Sequence, residues 1–375
     1  MREGPPMCTA LRYVDGASRT YVGRTLELDL EMPYVLAVVP AGTHFTSTVP
    51  GKKSVEWTSL HAFIGIACPT EEPKAGQAPS PLVLFDGINE VGLVVNFNAF
   101  PGGADGAAVS EAPAVLQASD LGAWLLGQFS QVSAAKAALA DQAVHPTAMA
   151  MAGNIPFPLH AMVTDAAGDS IVIEWESGVM RAMDNPVHVM TNTPALGWHL
   201  TNLDNWTHLD NTDRSSSTFG SLEVHQPDSG IATSALPASN TSIGRFIRAA
   251  YYAKFVKKET DPDAALSTLS RIMNNFDRPK GATIDPPASG GEGVTFGGSS
   301  APTGVTTEYT SITFMSDSAR RRYFVRSYSS INWSEFQLDE MTGLTGPRTI
   351  PVTSLHPMGG EANDLFVKPS LQLPG

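Results

Sequence analysis

The sequence predicts an α+β fold: one domain of antiparallel sheets with helices packed on their faces. Three observations carry this. Runs of strand length, rich in β-branched and aromatic residues, recur along the chain and are joined mostly by tight turns, which makes them hairpins. Only three stretches show strong helical periodicity. The order is strands, helices, strands, helices, strands, and neither a linker nor an internal repeat divides the 375 residues.

The composition permits such a fold. Hydrophobic residues make up 42% of the chain and charged ones 16%, so a sizeable core is possible and global disorder is not expected. The formal net charge of −13 argues against nucleic acid or an anionic membrane as partner, since both want a basic patch. No apolar run reaches the length of a membrane span. Cys8 and Cys68 are the two cysteines, too few for a disulfide framework in a chain of this size. Cys68 ends an apolar strand-like run and reads as a structural thiol; a Cys8–Cys68 disulfide is the alternative.

The first element is a hairpin. Cys8 opens a strand to Tyr13, a turn follows at 15–18, and a second strand from Thr20 carries Gly23-Arg24-Thr25-Leu26-Glu27. Tyr34 to Pro40 reads as a buried strand, and Val55 to Ala67 holds one or two more. Residues 71–80 form a Pro/Gly/Lys-rich loop. Leu82 to Phe85 is a short strand, 86–90 a turn, and Gly92 to Asn98 the returning strand. Ser119-Asp120 are good N-cap residues for a helix bearing Leu121, Trp124, Leu125, Phe129 and Val132, and Ser133 to Ala140 extends it or starts another. Residues 161–175 form a hairpin, and Val187 to Asn192 is a strand stopped by Thr193-Pro194. Thr201 to Ser229 is polar and turn-rich. Ser242 to Lys257 is the second helix and Asp261 to Phe276 the third, with Pro262 in its first turn. Residues 286–304 form a long Gly/Pro/Ser loop. Strands at 309–315, 322–328 and 331–337 precede an irregular tail from Ser354.

The chemistry centres on Cys8. A thiol needs a base, and an amino-terminal residue carries one in its own α-amine, whose reference pKa of about 7.7–8.0 leaves a usable unprotonated fraction near neutral pH. A neighbouring arginine favours the thiolate by charge. Taken alone, a cysteine near a chain start is more often a small buried hydrophobe, and Arg and Glu on a strand are more often a solvated face. Other sites are missing from the sequence. There is no HExxH, no zinc-type Cys/His spacing, no GxSxG elbow and no phosphate-binding loop, and the local signature of a papain-type cysteine is absent. Gly290-Gly291-Glu292-Gly293 follows no strand and opens no helix, so it is not a dinucleotide fingerprint.

Several blocks in order resemble the choloylglycine hydrolase family, which holds bile salt hydrolases and penicillin V acylases. They are Cys8-Thr9 with Gly23-Arg24-Thr25-Leu26-Glu27; Asp86-Gly87-Ile88-Asn89-Glu90-Val91-Gly92-Leu93; Phe100-Pro101-Gly102; Trp124 to Phe129; Asp184-Asn185-Pro186 with Met190-Thr191-Asn192-Thr193-Pro194; Ala235-Leu236-Pro237; Gly244 to Ala250; and Tyr309-Thr310-Ser311. The resemblance implies an N-terminal-nucleophile hydrolase, a four-layer αββα sandwich. Carried over by position, Cys8 is the nucleophile and its α-amine the proton carrier, with Arg24 beside the thiolate. Glu27 holds the amino group, Asn192 is the oxyanion-hole asparagine, and Arg245 supports the charge network. The bland alternatives are a turn asparagine and a surface helix arginine.

Three departures follow. Glu27 stands where the family usually has aspartate. Ala99 lies where bile salt hydrolases keep an asparagine, Asn98 falls one position earlier, and Asn96 falls where some penicillin V acylases have asparagine; a slip of one residue turns a strand side chain to the other face. A backbone N–H near residue 99 is then the second oxyanion donor. Third, seven residues precede Cys8, so residues 1–7 are expected to be a propeptide or non-native leader and 8–375 the single catalytic domain. Met7 as the true start is a further alternative.

The expected activity is hydrolysis of linear, non-peptide C–N amides through a thioester, penicillin V acylase-like, with conjugated bile salts or N-acyl homoserine lactones as alternative substrates. Leu26, Phe97 and Phe100 are candidate pocket walls, or core. The partner is a small-molecule amide; no metal or organic cofactor is implied, and relatives suggest a homotetramer. The non-enzyme alternative is a family-like binding protein that keeps Cys8 masked. The compartment is expected to be cytoplasmic, or periplasmic if a signal segment was removed.

Overall fold

The hairpin opened by Cys8 seeds the first of two large sheets. The structure, a computed structural model, describes residues 7–28, 32–69, 82–149, 155–284, 307–341 and 343–367. The first sheet runs Val189–Met190, Cys8–Val14, Thr20–Leu28, Tyr309–Asp317, Arg322–Ser327, Ser334–Gln337, Gly360–Glu361. Its pairs are antiparallel except the last, which is parallel. The second runs Val179–Asp184, Ser170–Glu176, Leu159–Thr164, Val94–Ala99, Leu82–Asn89, Phe63–Pro69, Val35–Val39, Arg348–Pro351, antiparallel throughout.

Among the described residues six α-helices accompany them: α1 Leu121–Gln128, α2 Val132–Asp141, α3 Leu196–Asn202, α4 Ser242–Phe255, α5 Pro262–Met273 and α6 Asp364–Val367. Helices α4 and α5 lie on the outer face of the first sheet, α1 lies on the second, and the sheets meet through the Cys8, Thr20 and Val94 strands. This is the four-layer αββα sandwich of N-terminal-nucleophile hydrolases. The layering explains why all nine residues of Thr20–Leu28 are buried: a strand covered on both faces has no solvent side to alternate with. In the same way α1 is buried from Leu121 to Gly127, so its apolar residues surround it rather than form a stripe.

The structure corrects several local expectations. Asp86 is not in a turn; it lies inside the Leu82–Asn89 strand, and the turn falls at Glu90 and Val91. Asp120 makes no side-chain cap to α1, whereas Asp261 caps α5 by accepting from the Asp263 and Ala264 N–H groups. Of the two readings of 133–140, the separate helix is the one formed, α2. The polar 201–229 stretch begins in α3 and contains the hairpin Ser216–Phe219 with Leu222–His225. A strand at His44–Ser47 went unforeseen. The tail from Ser354 contains a strand and α6. The loops read at 71–80 and 286–304 lie outside the described residues.

Candidate active site

Strand register sorts the side chains around Cys8. Directly opposed residues of an antiparallel pair share a face. Cys8 opposes Leu26 and Ala10 opposes Arg24, while Thr9 opposes Thr25 and Leu11 opposes Gly23. Cys8, Leu26 and Arg24 therefore point between the sheets. Thr9, Thr25 and Glu27 point outward, beneath α4 and α5.

On the inner face, Arg24 Nη2 lies 3.5 Å from Cys8 Sγ and donates to the Phe97 carbonyl, and Arg24 Nε donates to Asn98 Oδ1 at 3.4 Å. Arg24 Nη1 has no hydrogen-bond partner. Asn98 Nδ2 donates to the carbonyls of Met190 at 3.1 Å and Thr191 at 2.8 Å, lashing the second sheet to the segment that carries Asn192.

Asn192 is the junction. Its Oδ1 accepts from the Cys8 N–H at 2.8 Å and from Arg245 Nη2 at 2.7 Å. Two donors on one atom identify that atom as the amide oxygen. The Nδ2 group then donates to the Ala99 carbonyl at 2.8 Å. Arg245 is not a surface arginine: it is fully buried and also donates to the Cys8 carbonyl, to Thr9 Oγ1 at 2.8 Å and to the Asn240 carbonyl at 2.9 Å.

The Asn96–Phe100 segment is resolved by the pleat. The Asn96 and Asn98 side chains face the first sheet, toward Asp86 and Arg24. Phe97 faces the other way, edge-on to Phe157, and offers the site only its carbonyl. Phe100 stacks on His160 at 4.6 Å. The Phe100 N–H is given to the Pro158 carbonyl. Backbone groups alternate along a strand, so the Ala99 N–H turns to the opposite edge, the same edge on which the Ala99 and Phe97 carbonyls meet Asn192 and Arg24.

Glu27 sits apart from the thiol. Its carboxylate accepts from Thr310 Oγ1 at 3.3 Å and stands 3.6 Å from Arg278 Nη1. Oε2 has no hydrogen-bond partner. Burial raises its pKa, against the pull of Arg245 and Arg278. The Cys8 N–H is taken by Asn192, not by Glu27.

Sequence reasoning missed the shell behind Asn192. His199 Nε2 is 3.0 Å from the Asn192 carbonyl, which only accepts, so Nε2 carries the proton; Nδ1 has no partner. Burial lowers the His199 pKa to about 4, keeping it neutral, and its ring stacks on Phe246 at 4.4 Å. Ser242 Oγ accepts from the Asn192 N–H at 3.1 Å and also contacts its carbonyl. His160 bridges Glu174 at 3.3 Å and the Thr191 carbonyl at 3.1 Å, and Glu174 accepts from the Leu196 N–H at the start of α3. The sequence marks Tyr34 only as a strand residue. Its hydroxyl is buried without a hydrogen-bond partner and within electrostatic reach of Arg24, Cys68 and Cys8. Apart from His199 with Asn192, seven residues apart, these contacts join residues distant in sequence, so no local pattern announces them. Both cysteines are free thiols, so the Cys8–Cys68 disulfide is not formed; burial pushes the Cys68 thiol up to about 11. Among the described residues, no group of three or more His, Cys, Asp or Glu is placed to hold a metal ion, and no helix is long and apolar enough to cross a membrane.

Comparison with known proteins gives a consistent set. A family model described as linear amide C–N hydrolases, choloylglycine hydrolase family, matches residues 8–345. A bile salt hydrolase/transferase from Lactiplantibacillus plantarum is 28% identical over 277 residues, 73% of this chain and 80% of the relative. A crystal structure of a variant of conjugated bile acid hydrolase from Clostridium perfringens superposes with a TM-score of 0.73 at 22% identity, covering 92% of this chain and 97% of that one. Penicillin V acylase from Agrobacterium tumefaciens superposes with a TM-score of 0.66 at 20% identity, covering 92% and 91%.

Proposed function

From the premise that the chain belongs to the choloylglycine hydrolase family of linear amide C–N hydrolases, we propose that it cleaves acyl amides by a thioester route, as a penicillin V acylase-like enzyme. One observation carries the reading. Asn192 joins the backbone nitrogen of the nucleophile, Arg245 and the Ala99 edge into one buried cluster.

In this reading residues 1–7 are lost and Cys8 gains a free α-amine. Extending the register by one residue sets Glu27 opposite residue 7, so the new ammonium emerges beside a carboxylate whose Oε2 lacks a hydrogen bond. Cys8 Sγ attacks the amide carbon. The tetrahedral oxygen takes hydrogen bonds from Asn192 Nδ2, replacing the one to Ala99, and from the Ala99 N–H. The α-amine carries the thiol proton to the leaving amine, the C–N bond breaks, and the thioester remains. Water then adds to the thioester, releasing the carboxylic acid and restoring the thiol. Leu26, beside Cys8, fits an apolar wall for the acyl group; Phe97 and Phe100 are held in the core by Phe157 and His160.

The test is intact mass followed by turnover. The expected result is a mass lacking residues 1–7 and hydrolysis of penicillin V that Cys8→Ala abolishes. A full-length mass with no turnover overturns the mechanism. A second reading, conjugated bile salt hydrolysis, is favoured by the name of the Lactiplantibacillus plantarum relative; a strong preference for glycocholate over penicillin V selects it. Turnover of an N-acyl homoserine lactone above both selects the third substrate class.

A further inference from the structure

Asp86 lies between the two sheets, 1% exposed. Its Oδ2 accepts from Asn96 Nδ2 at 2.7 Å and its Oδ1 from the Tyr323 hydroxyl at 2.8 Å, so one donor comes from each sheet. The strand is shaped to deliver it. The register of the Phe63–Pro69 and Leu82–Asn89 pair slips between Ile66 and Ala67, a bulge that re-aims a side chain. Ile66 stands opposite Asp86, and at the neighbouring Gly65, paired with Gly87, a Cβ would sit 2.3 Å from the Asp86 carbonyl.

A buried carboxylate calls for a counter-charge. Arg24 is also 1% exposed, and among the described residues no carboxylate lies within ion-pair distance of it. Both groups border one seam between the sheets: Tyr323, which donates to Asp86, stacks on Phe314 at 5.9 Å, and the Arg24 guanidinium lies 5.6 Å from the centre of the same Phe314 ring, while Asn96 on Asp86 and Asn98 on Arg24 share one face of their strand. The groups facing Asp86 are Arg24 from Thr20–Leu28, Tyr323 from Arg322–Ser327 and Asn96 from Val94–Ala99. Burial holds Tyr323 far above its ordinary range, so it stays a donor. Burial also pushes the Asp86 carboxyl up to about 6, against the lowering effect of Arg24, Asn96 and Tyr323.

We propose that Asp86 is a positioning residue for the reaction centre: as the counter-ion of Arg24, it sets how much of the guanidinium's positive field reaches Cys8 Sγ. The inference rests on the reading of Cys8 as nucleophile. With Asp86 ionised the pair is balanced. With Asp86 protonated, Arg24 acts on the sulfur unopposed and favours the thiolate. The orphan Arg24 Nη1 and Asn96 Oδ1 both belong to this unfinished polar seam.

The test is the rate of Cys8 alkylation by iodoacetamide across pH 5 to 9, with the modified site read by peptide mass so that Cys68 does not interfere. Asp86→Asn keeps the shape, and a turned Asn96 amide offers its Oδ1 to the new N–H. The expected result is that wild type and Asp86→Asn react at similar rates at pH 5, and that the variant is about tenfold faster at pH 7, the effect of one uncompensated neighbouring charge. Superimposable profiles overturn the proposal. If Asp86→Asn does not fold, Tyr323→Phe decides: loss of that donor keeps Asp86 protonated to higher pH, so alkylation at pH 7 should rise, and an unchanged rate overturns the proposal. Amide turnover, measured alongside, separates the two readings. An alkylation difference in a protein that hydrolyses none of the test amides supports the charge coupling and refutes the enzyme mechanism. Turnover with no alkylation difference refutes the coupling alone.

Discussion

Asn192 shows how one side chain serves two demands. Its oxygen accepts from Cys8 and Arg245 and its nitrogen donates to the Ala99 carbonyl; in the proposed mechanism that nitrogen turns to the substrate oxygen. Asn192→Ala should lower kcat by about 10²–10³, the usual loss of an oxyanion donor, with KM for penicillin V changed far less. Asp86 makes a prediction about stability. Its carboxyl, ordinarily near 3.8, sits at about 6 in the fold, so the unfolded chain releases the proton first. The native state therefore loses stability as pH rises from 3.8 through 6, by about 3 kcal/mol. His199 slopes the other way: held neutral by burial, it costs stability as pH falls from 6.5 toward 4. Urea unfolding should show Asp86→Asn losing more stability than wild type between pH 6 and 4, because the variant lacks the carboxyl slope that opposes the histidine one.

At the scale of elements, close approach decides what a strand tolerates. A Cβ on Gly65 meets the Asp86 backbone carbonyl at 2.3 Å, whereas one on Gly23 meets the flexible Met273 side chain, its Sδ at 2.5 Å. Overpacking typically costs about 1–3 kcal/mol. Gly65→Ala should fall at or above the top of that range and Gly23→Ala near its bottom, read as urea midpoints. Asp261 shows a purely local device: its cap of two N–H groups predicts a loss of about 1 kcal/mol in Asp261→Ala. Such a cap needs only neighbours in sequence, yet the sequence pattern puts Asp261 inside the helix and the structure places it at the cap. Asp120 looked equivalent, yet α1 is entered through a short 3₁₀ turn, and its aspartate is in helical conformation rather than extended.

At the scale of the whole molecule, each layer has one task. The first sheet carries the nucleophile, the second carries Ala99 and Asp86, and α4 reaches through with Arg245 to fasten Asn192. The sheet-to-sheet contacts at Arg24 and Tyr323 are polar, so the interior between the sheets holds charge where a simple sandwich would hold only hydrocarbon. Assembly belongs to this scale as well. The homotetramer expected from the resemblance should scatter light as about four times the mass of the chain that lacks residues 1–7, and a monomer mass would remove assembly from the account.

The sequence by itself determined the antiparallel α+β class, the hairpin at Cys8, the two long helices α4 and α5, and the motif blocks that resemble the family. These rest on short-range patterns: alternation, turn residues, caps and ordered motifs. It also located Cys8, Arg24, Asn192 and Arg245 as residues to watch. Only the tertiary structure decided which way the side chains of Asn96, Phe97 and Asn98 point, because a one-residue difference in register is invisible without a partner strand. It alone turned Asp86 from a turn residue into a buried carboxylate, placed Glu27 on the face opposite the thiol, and put His199 and Ser242 behind Asn192. Those facts depend on contacts between residues as far apart as Asp86 and Tyr323 or Cys8 and Asn192, and such contacts exist only once both sheets have formed.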